Sequence, residues 1–156
     1  MVVPVPGQED LRSLYRELVL DHARSPRHFG KLDPSSHRAE GINPLCGDKL
    51  KVYFQIDQRG HIEDARFEGS GCAISVASAS LMTETVIGLK TAQAMEVFAA
   101  VIASLSDQAG LQDFDLGELA ALQGVREFPA RVKCATLAWH ALDAAIHHDE
   151  AAATTE

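Results

Sequence analysis

The stretch Asn43-Pro44-Leu45-Cys46-Gly47-Asp48-Lys49-Leu50-Lys51-Val52-Tyr53-Phe54-Gln55-Ile56 joins a tight turn to a strand. In its second half Leu50, Val52, Phe54 and Ile56 alternate with Lys51, Tyr53 and Gln55, the period of a half-buried strand. Asp57-Gln58-Arg59-Gly60 then reads as a turn. Ile62, Ala65 and Phe67 read as the returning strand, and their alternation slips at Glu63-Asp64, the mark of a bulge. Two strands alone are marginal in water. A third is therefore expected before the turn, around His37 to Gly41. The first half of the stretch is chemical. Pro44 biases Asn43 toward an extended backbone, and Gly47 can adopt angles other residues avoid. Such a turn can aim the sulfur of Cys46 and the carboxylate of Asp48 at one point.

Helical patterns surround this hairpin. Leu11, Leu14, Tyr15, Leu18 and Val19 recur at three- and four-residue steps, and Ser25-Pro26 ends that helix. Arg27 to Ile42 has no sustained period and reads as a long ordered loop leading into the turn. Gly69-Ser70-Gly71-Cys72 opens a second helix, rich in Ala and Ser, that reaches about Leu89. A third is expected over Thr91 to Ser104. Phe114, Leu116, Leu119 and Leu122 suggest a short helix on an insertion at about 106–127. Phe128-Pro129 starts the last helix, with proline suited to its first turn. The outline is α+β: a small antiparallel three-stranded sheet packed on one side by helices. Residues 1–8 read as a flexible N-terminal arm, 9–147 as a single domain, and 148–156 as a flexible C-terminal tail.

The chain has 156 residues, enough for one domain with a sizeable core. Its net charge of -8 argues against a nucleic-acid or anionic-membrane partner, which would need a basic face. There is no basic stretch followed by an apolar run, and no apolar segment of the roughly 18 residues a membrane helix needs. Three cysteines cannot all pair within the chain, so free thiols or metal ligands in a reducing, cytoplasmic setting are expected.

Cys46, Asp48, Cys72 and Cys134 together offer three thiolates and one carboxylate, a donor set that suits zinc. The cysteines lie 26 and 62 residues apart, unlike the paired spacing of a zinc finger. Position says more than spacing. Cys72 stands at a helix start, where free amides and the dipole favour a thiolate. Cys134 stands in the first turns of the last helix, near Arg131 and Lys133. The competing reading makes Cys72 and Cys134 small buried hydrophobes, a common fate of free cysteine, and pattern alone does not choose. None of the seven histidines has a helical partner at the spacing of a HExxH motif. Ser75, Ser78 and Ser80 lack the GxSxG surroundings of a nucleophile. The acidic run Asp113 to Glu118 reads as a solvated face.

At Cys46-Gly47-Asp48, Gly69-Ser70-Gly71-Cys72 and Phe128-Pro129-Ala130-Arg131-Val132-Lys133-Cys134 the chain resembles the IscU/NifU-N family of iron–sulfur cluster assembly proteins. The similarity spans roughly Leu14 to Ile146. It includes Tyr15, Asp21-His22 and the loop Ser25-Pro26-Arg27-His28-Phe29-Gly30. Two departures from the IscU scaffold type resemble the SufU branch: Lys133 where the scaffold has a histidine, and a longer path between the second and third cysteines. The resemblance implies zinc held by Cys46, Asp48, Cys72 and Cys134, with Arg131 in support. It further implies a zinc-dependent sulfurtransferase that accepts persulfide sulfur at Cys46 from a SufS-type cysteine desulfurase and passes it to a downstream iron–sulfur assembly scaffold. The alternative is a scaffold on which the same ligands build a [2Fe-2S] cluster. A structural zinc protein that binds a partner without passing sulfur is a third reading.

Overall fold

The computed structural model describes residues 8–105, 117–148 and 153–154. Three strands, β1 (His37–Asn43), β2 (Asp48–Ile56) and β3 (Ile62–Ser70), form an antiparallel meander. Asn43 pairs with Asp48 at the end of the β1–β2 ladder, so the turn of residues 44–47 is the tip of a hairpin. Along β2–β3 the pairing runs from Gln55 with Asp64 to Ile56 with Ile62. Glu63 is thus the extra residue of a bulge, where the sequence alternation slips. A two-residue strand, β4 (Ala153–Thr154), adds in parallel to Gly41 and Ile42 on the outer side of β1. The sheet order is β3-β2-β1-β4, so a short fourth strand lies beyond the three expected ones. That strand falls within the stretch read as a loose tail, and Gln8, expected in the arm of residues 1–8, begins the first helix; the remainder of 149–156 and residues 1–7 lie outside the described residues.

Among the described residues four α-helices accompany the sheet: α1 (Gln8–Arg24), α2 (Ala73–Val86), α3 (Thr91–Ser104) and α4 (Pro129–Ile146). The sheet sends Leu50, Val52, Phe54, Ile62 and Phe67 into the core, where they meet Leu81 and Met82 of α2 and Leu137, Trp139 and Leu142 of α4. The small residues of α2 make this close packing possible. Ala77, Ser78, Ala79 and Ser80 are all fully buried. Each buried hydroxyl has a partner: Ser78 donates to the Ala135 carbonyl and accepts the Trp139 indole N–H at 3.1 Å, and Ser80 faces His22. Serine is a middling helix former, and here it ties α2 to α4 and α1 instead.

The expected short helix around 114–122 appears as a 3-10 helix over Gly117–Glu127, with Leu119 and Leu122 in the core. Residues 106–116 lie outside the described residues. The second face of the sheet carries Arg38, Lys49 and Lys51 outward. Tyr53 shares that face but is buried, its hydroxyl donating to Glu68.

At the far end of β3, Gly69 has φ of +133°, and a Cβ placed there would lie 2.1 Å from the Lys49 carbonyl oxygen. Gly88 also has positive φ, +93°, but a Cβ there meets nothing within 4 Å. Denaturant unfolding should therefore separate the two. Gly88→Ala is expected to cost about 1 kcal/mol from backbone strain alone. Gly69→Ala should cost at least about 2 kcal/mol, because backbone must move as well; equal losses would count against the close approach.

Candidate metal centre

Three elements converge on the hairpin tip. The turn presents Cys46, whose amide reaches back to the Asn43 carbonyl at 3.3 Å. Gly47 takes φ of +72°, the left-handed conformation that glycine adopts without penalty. Leu45 and Cys46 stand exposed at the tip, whereas Asp48, one residue past the turn, points inward and is 1% exposed.

A buried carboxylate needs donors, and the β3–α2 junction supplies them. Cys72 is the N-cap of α2, so its amide is among those the helix leaves free. That amide donates to Asp48 Oδ1 at 2.8 Å, and the Ser75 hydroxyl donates to Asp48 Oδ2 at 2.7 Å. Gly71 makes the approach possible. A Cβ there would lie 2.8 Å from Asp48 Oδ1 and 3.2 Å from Ser75 Cβ.

α4 brings the second sulfur. Cys134 is fully buried, with its Sγ 3.5 Å from Cys46 Sγ and 3.7 Å from the Asn43 side-chain amide that donates to it. One ligand atom each from Cys46, Asp48 and Cys134 lie within 4.8 Å of one another. A tetrahedral zinc site with Zn–S bonds of about 2.3 Å has sulfur–sulfur edges of roughly 3.8 Å, so this spacing fits. Cys72 falls outside that tight group. Its Sγ sits at the rim, 3.6 Å from the Ser75 hydroxyl. All three cysteines are free.

Electrostatics agree with a cation site. Burial pushes the Cys134 thiol well above its ordinary range, and hydrogen bonding to Asp48, Cys46 and Cys72 adds to the shift. Such a group keeps its proton unless a cation replaces it. Arg131, one turn before Cys134, is exposed, and Cys72 first and Cys134 second raise its pKa. Among the described residues, buried Asn43 Oδ1 has no hydrogen-bond partner, a further sign of a polar pocket.

The sequence-predicted residues thus divide. Cys46, Asp48 and Cys134 come together, Cys72 joins through its amide with its sulfur at the rim, and Arg131 lies against the Cys72 and Cys134 sulfurs. No histidine enters the ligand group among the described residues. His22 is buried, with Nδ1 on Ser80 Oγ at 2.7 Å and Nε2 facing Glu84 and Glu118 at 3.7 and 3.9 Å. The loop after α1 is likewise structural. The Arg27 amide donates to Ser80 Oγ and the Gly30 amide to the Phe67 carbonyl, fastening α1 to α2 and β3. Sequence reasoning missed Ser75 and Asn43. Ser75 lies three residues after Cys72, on the same helix face, and Asn43 pairs with Asp48 across the hairpin end. Both spacings were visible.

Residues 14–154 match the NifU-like N terminal domain family. The zinc-dependent sulfurtransferase SufU of Bacillus subtilis (strain 168) is 40% identical over 141 residues, covering 90% of this chain and 95% of that protein. The iron–sulfur cluster assembly scaffold protein IscU of Streptococcus pyogenes serotype M1 is 40% identical over 136 residues, covering 87% and 84%. The crystal structure of a putative iron–sulfur cluster assembly scaffold protein for the SUF system, from Fervidobacterium islandicum AW-1, superposes with a TM-score of 0.77 at 33% identity, covering 86% of this chain and 98% of that one. With its three-stranded antiparallel sheet, its helical cover and this extent of similarity, the chain belongs to the NifU-like N-terminal domain family of iron–sulfur cluster assembly proteins, which includes IscU and SufU.

Proposed function

We propose that the chain is a zinc-dependent sulfur acceptor in iron–sulfur cluster biogenesis. It takes persulfide sulfur at Cys46 from a SufS-type cysteine desulfurase in the cytoplasm and passes it to a downstream iron–sulfur assembly scaffold. The observation that carries this reading is an asymmetry: Cys46 is the exposed member of a group whose other members, Asp48 and Cys134, are buried. Cys46, Asp48, Cys72 and Cys134 are the residues that would hold zinc, as three thiolates and one carboxylate. Bound zinc keeps the thiolates deprotonated at neutral pH.

The rest is the work of the chain's own residues. The Cys46 thiolate attacks the outer sulfur of the desulfurase persulfide. A bond forms from Cys46 Sγ to that sulfur as the donor's S–S bond breaks, and the electron pair leaves with the desulfurase cysteine as its thiolate. Thiolate, not thiol, is the nucleophile in such an exchange. The open turn lets the donor approach, since even a Cβ built on Gly47 meets nothing within 4 Å. Arg131 beside Cys72 and Cys134 offsets the negative charge of the donor set. The similarity to SufU, named a zinc-dependent sulfurtransferase, supports this reading.

A second reading is favoured by the equally similar IscU relative: the same four residues bind a [2Fe-2S] cluster during its assembly. Metal content separates the two. Near-stoichiometric zinc and no visible absorbance are expected of purified protein; iron with acid-labile sulfide and a brown colour after anaerobic isolation would favour the scaffold.

Replacing Cys46 with alanine should abolish stimulation of a SufS-type desulfurase, measured as sulfide released from cysteine with a thiol reductant. Undiminished stimulation would sink the assignment. Asp48→Ala should lower zinc occupancy, read by elemental analysis after gel filtration. Stripping zinc with a chelator should lower the thermal midpoint by several degrees, because the ion ties the hairpin tip to α2 and α4.

A further inference from the structure

Ser75 is fully buried in the first turn of α2, and its hydroxyl touches three of the four residues assigned to the metal. It donates to Asp48 Oδ2 at 2.7 Å, lies 3.6 Å from Cys72 Sγ, and lies 3.4 Å from the Cys134 carbonyl oxygen. A hydroxyl has one proton to give, and the short contact assigns it to Asp48. The Cys134 carbonyl is a distant competitor. In the metal-free chain the Cys72 thiol can then donate to the free lone pair of Ser75 Oγ.

The consequence is geometric. Asp48 Oδ1 already accepts the Cys72 amide, so Ser75 gives the second oxygen its own donor. With one donor on each oxygen the carboxylate plane is fixed, and each oxygen keeps a lone pair for a cation. In the metal-free chain the Cys134 thiol, itself one of the residues assigned to the metal, also bonds this carboxylate. We infer that Ser75 is a positioning residue of the metal centre, acting through Asp48 by locking its carboxylate toward Cys46 and Cys134. The inference rests on the reading of this group as a zinc site. Gly71 serves the same lock, because any larger residue would push the Asp48–Ser75 pair apart.

The test is a double-mutant cycle on zinc affinity, measured by competition with a chromophoric zinc chelator on the full chain. Ser75→Ala should weaken zinc binding about 10- to 100-fold, the usual effect of removing a group that orients a ligand. In an Asp48→Ala background the same change should alter affinity less than about twofold, since the partner is gone. A general packing defect would cost affinity in both backgrounds. Circular dichroism of the zinc-free forms accompanies each titration. Should Ser75→Ala fail to fold, Ser75→Thr keeps the hydroxyl and Ser75→Val matches its shape without it. Binding retained by threonine and lost by valine supports the assignment; equal binding by both overturns it. Wild-type affinity in Ser75→Ala, or the same loss with and without Asp48, also overturns it while leaving the zinc site standing. Wild-type protein that takes up no zinc overturns the zinc reading and this one together.

Discussion

The centre depends on a carboxylate taken out of water. Asp48 starts β2 at the foot of an exposed turn, yet it is 1% exposed, because the free amide of Cys72 and the Ser75 hydroxyl replace its solvent. Burying a carboxylate without such partners costs several kcal/mol. The β3–α2 junction must therefore pass close to the hairpin tip, and that requirement accounts for Gly71. It also seats Cys72 at the N-cap of α2. A single buried side chain thereby fixes the relative positions of the sheet and the helix that follows it.

The hairpin and its bulge were readable because alternation is a local signal: Leu50 to Ile56 and Ile62 to Phe67 each declare one buried face, and Glu63 interrupts it. The helices were readable for the same reason, with proline and glycine marking their ends. The ligand group was half readable. Nothing local says that Cys134 reaches Cys46, since that contact spans 88 residues and depends on how α4 lies over β1 and β2. The motifs and the family they resemble supplied that link. Ser75 went unread because a buried serine in a run of Ala and Ser looks like any other small packing residue. Its meaning comes from Asp48, which only the folded chain brings near. The two-residue strand β4 was invisible because its pairing with Gly41 and Ile42 depends on the path of the chain after α4, not on any pattern in Ala153-Thr154.

The centre joins two unlike environments. Cys134 and Asp48 sit in the closely packed seam between the sheet, α2 and α4, where Trp139, Ser78 and Ala135 lock the two helices together. Cys46 sits on a turn with Leu45, 75% exposed, at its side. Buried donors and an exposed one therefore face the same point. The proposed sulfur acceptance at Cys46 rests on this division.

The sheet's edges carry a last consequence. On one side Ala153–Thr154 lies along β1, and on the other His28 and Gly30 exchange hydrogen bonds with Phe67 of β3. Both borders of a very small sheet are thus met by the chain's own segments, one from each end of the domain. An open border invites another polypeptide to extend the ladder, and a filled one discourages it. Strand addition at Gly41-Ile42 or at Phe67 would have to displace one of these segments. Leu45, Phe128 and Arg131 instead stand exposed at the hairpin tip and the start of α4.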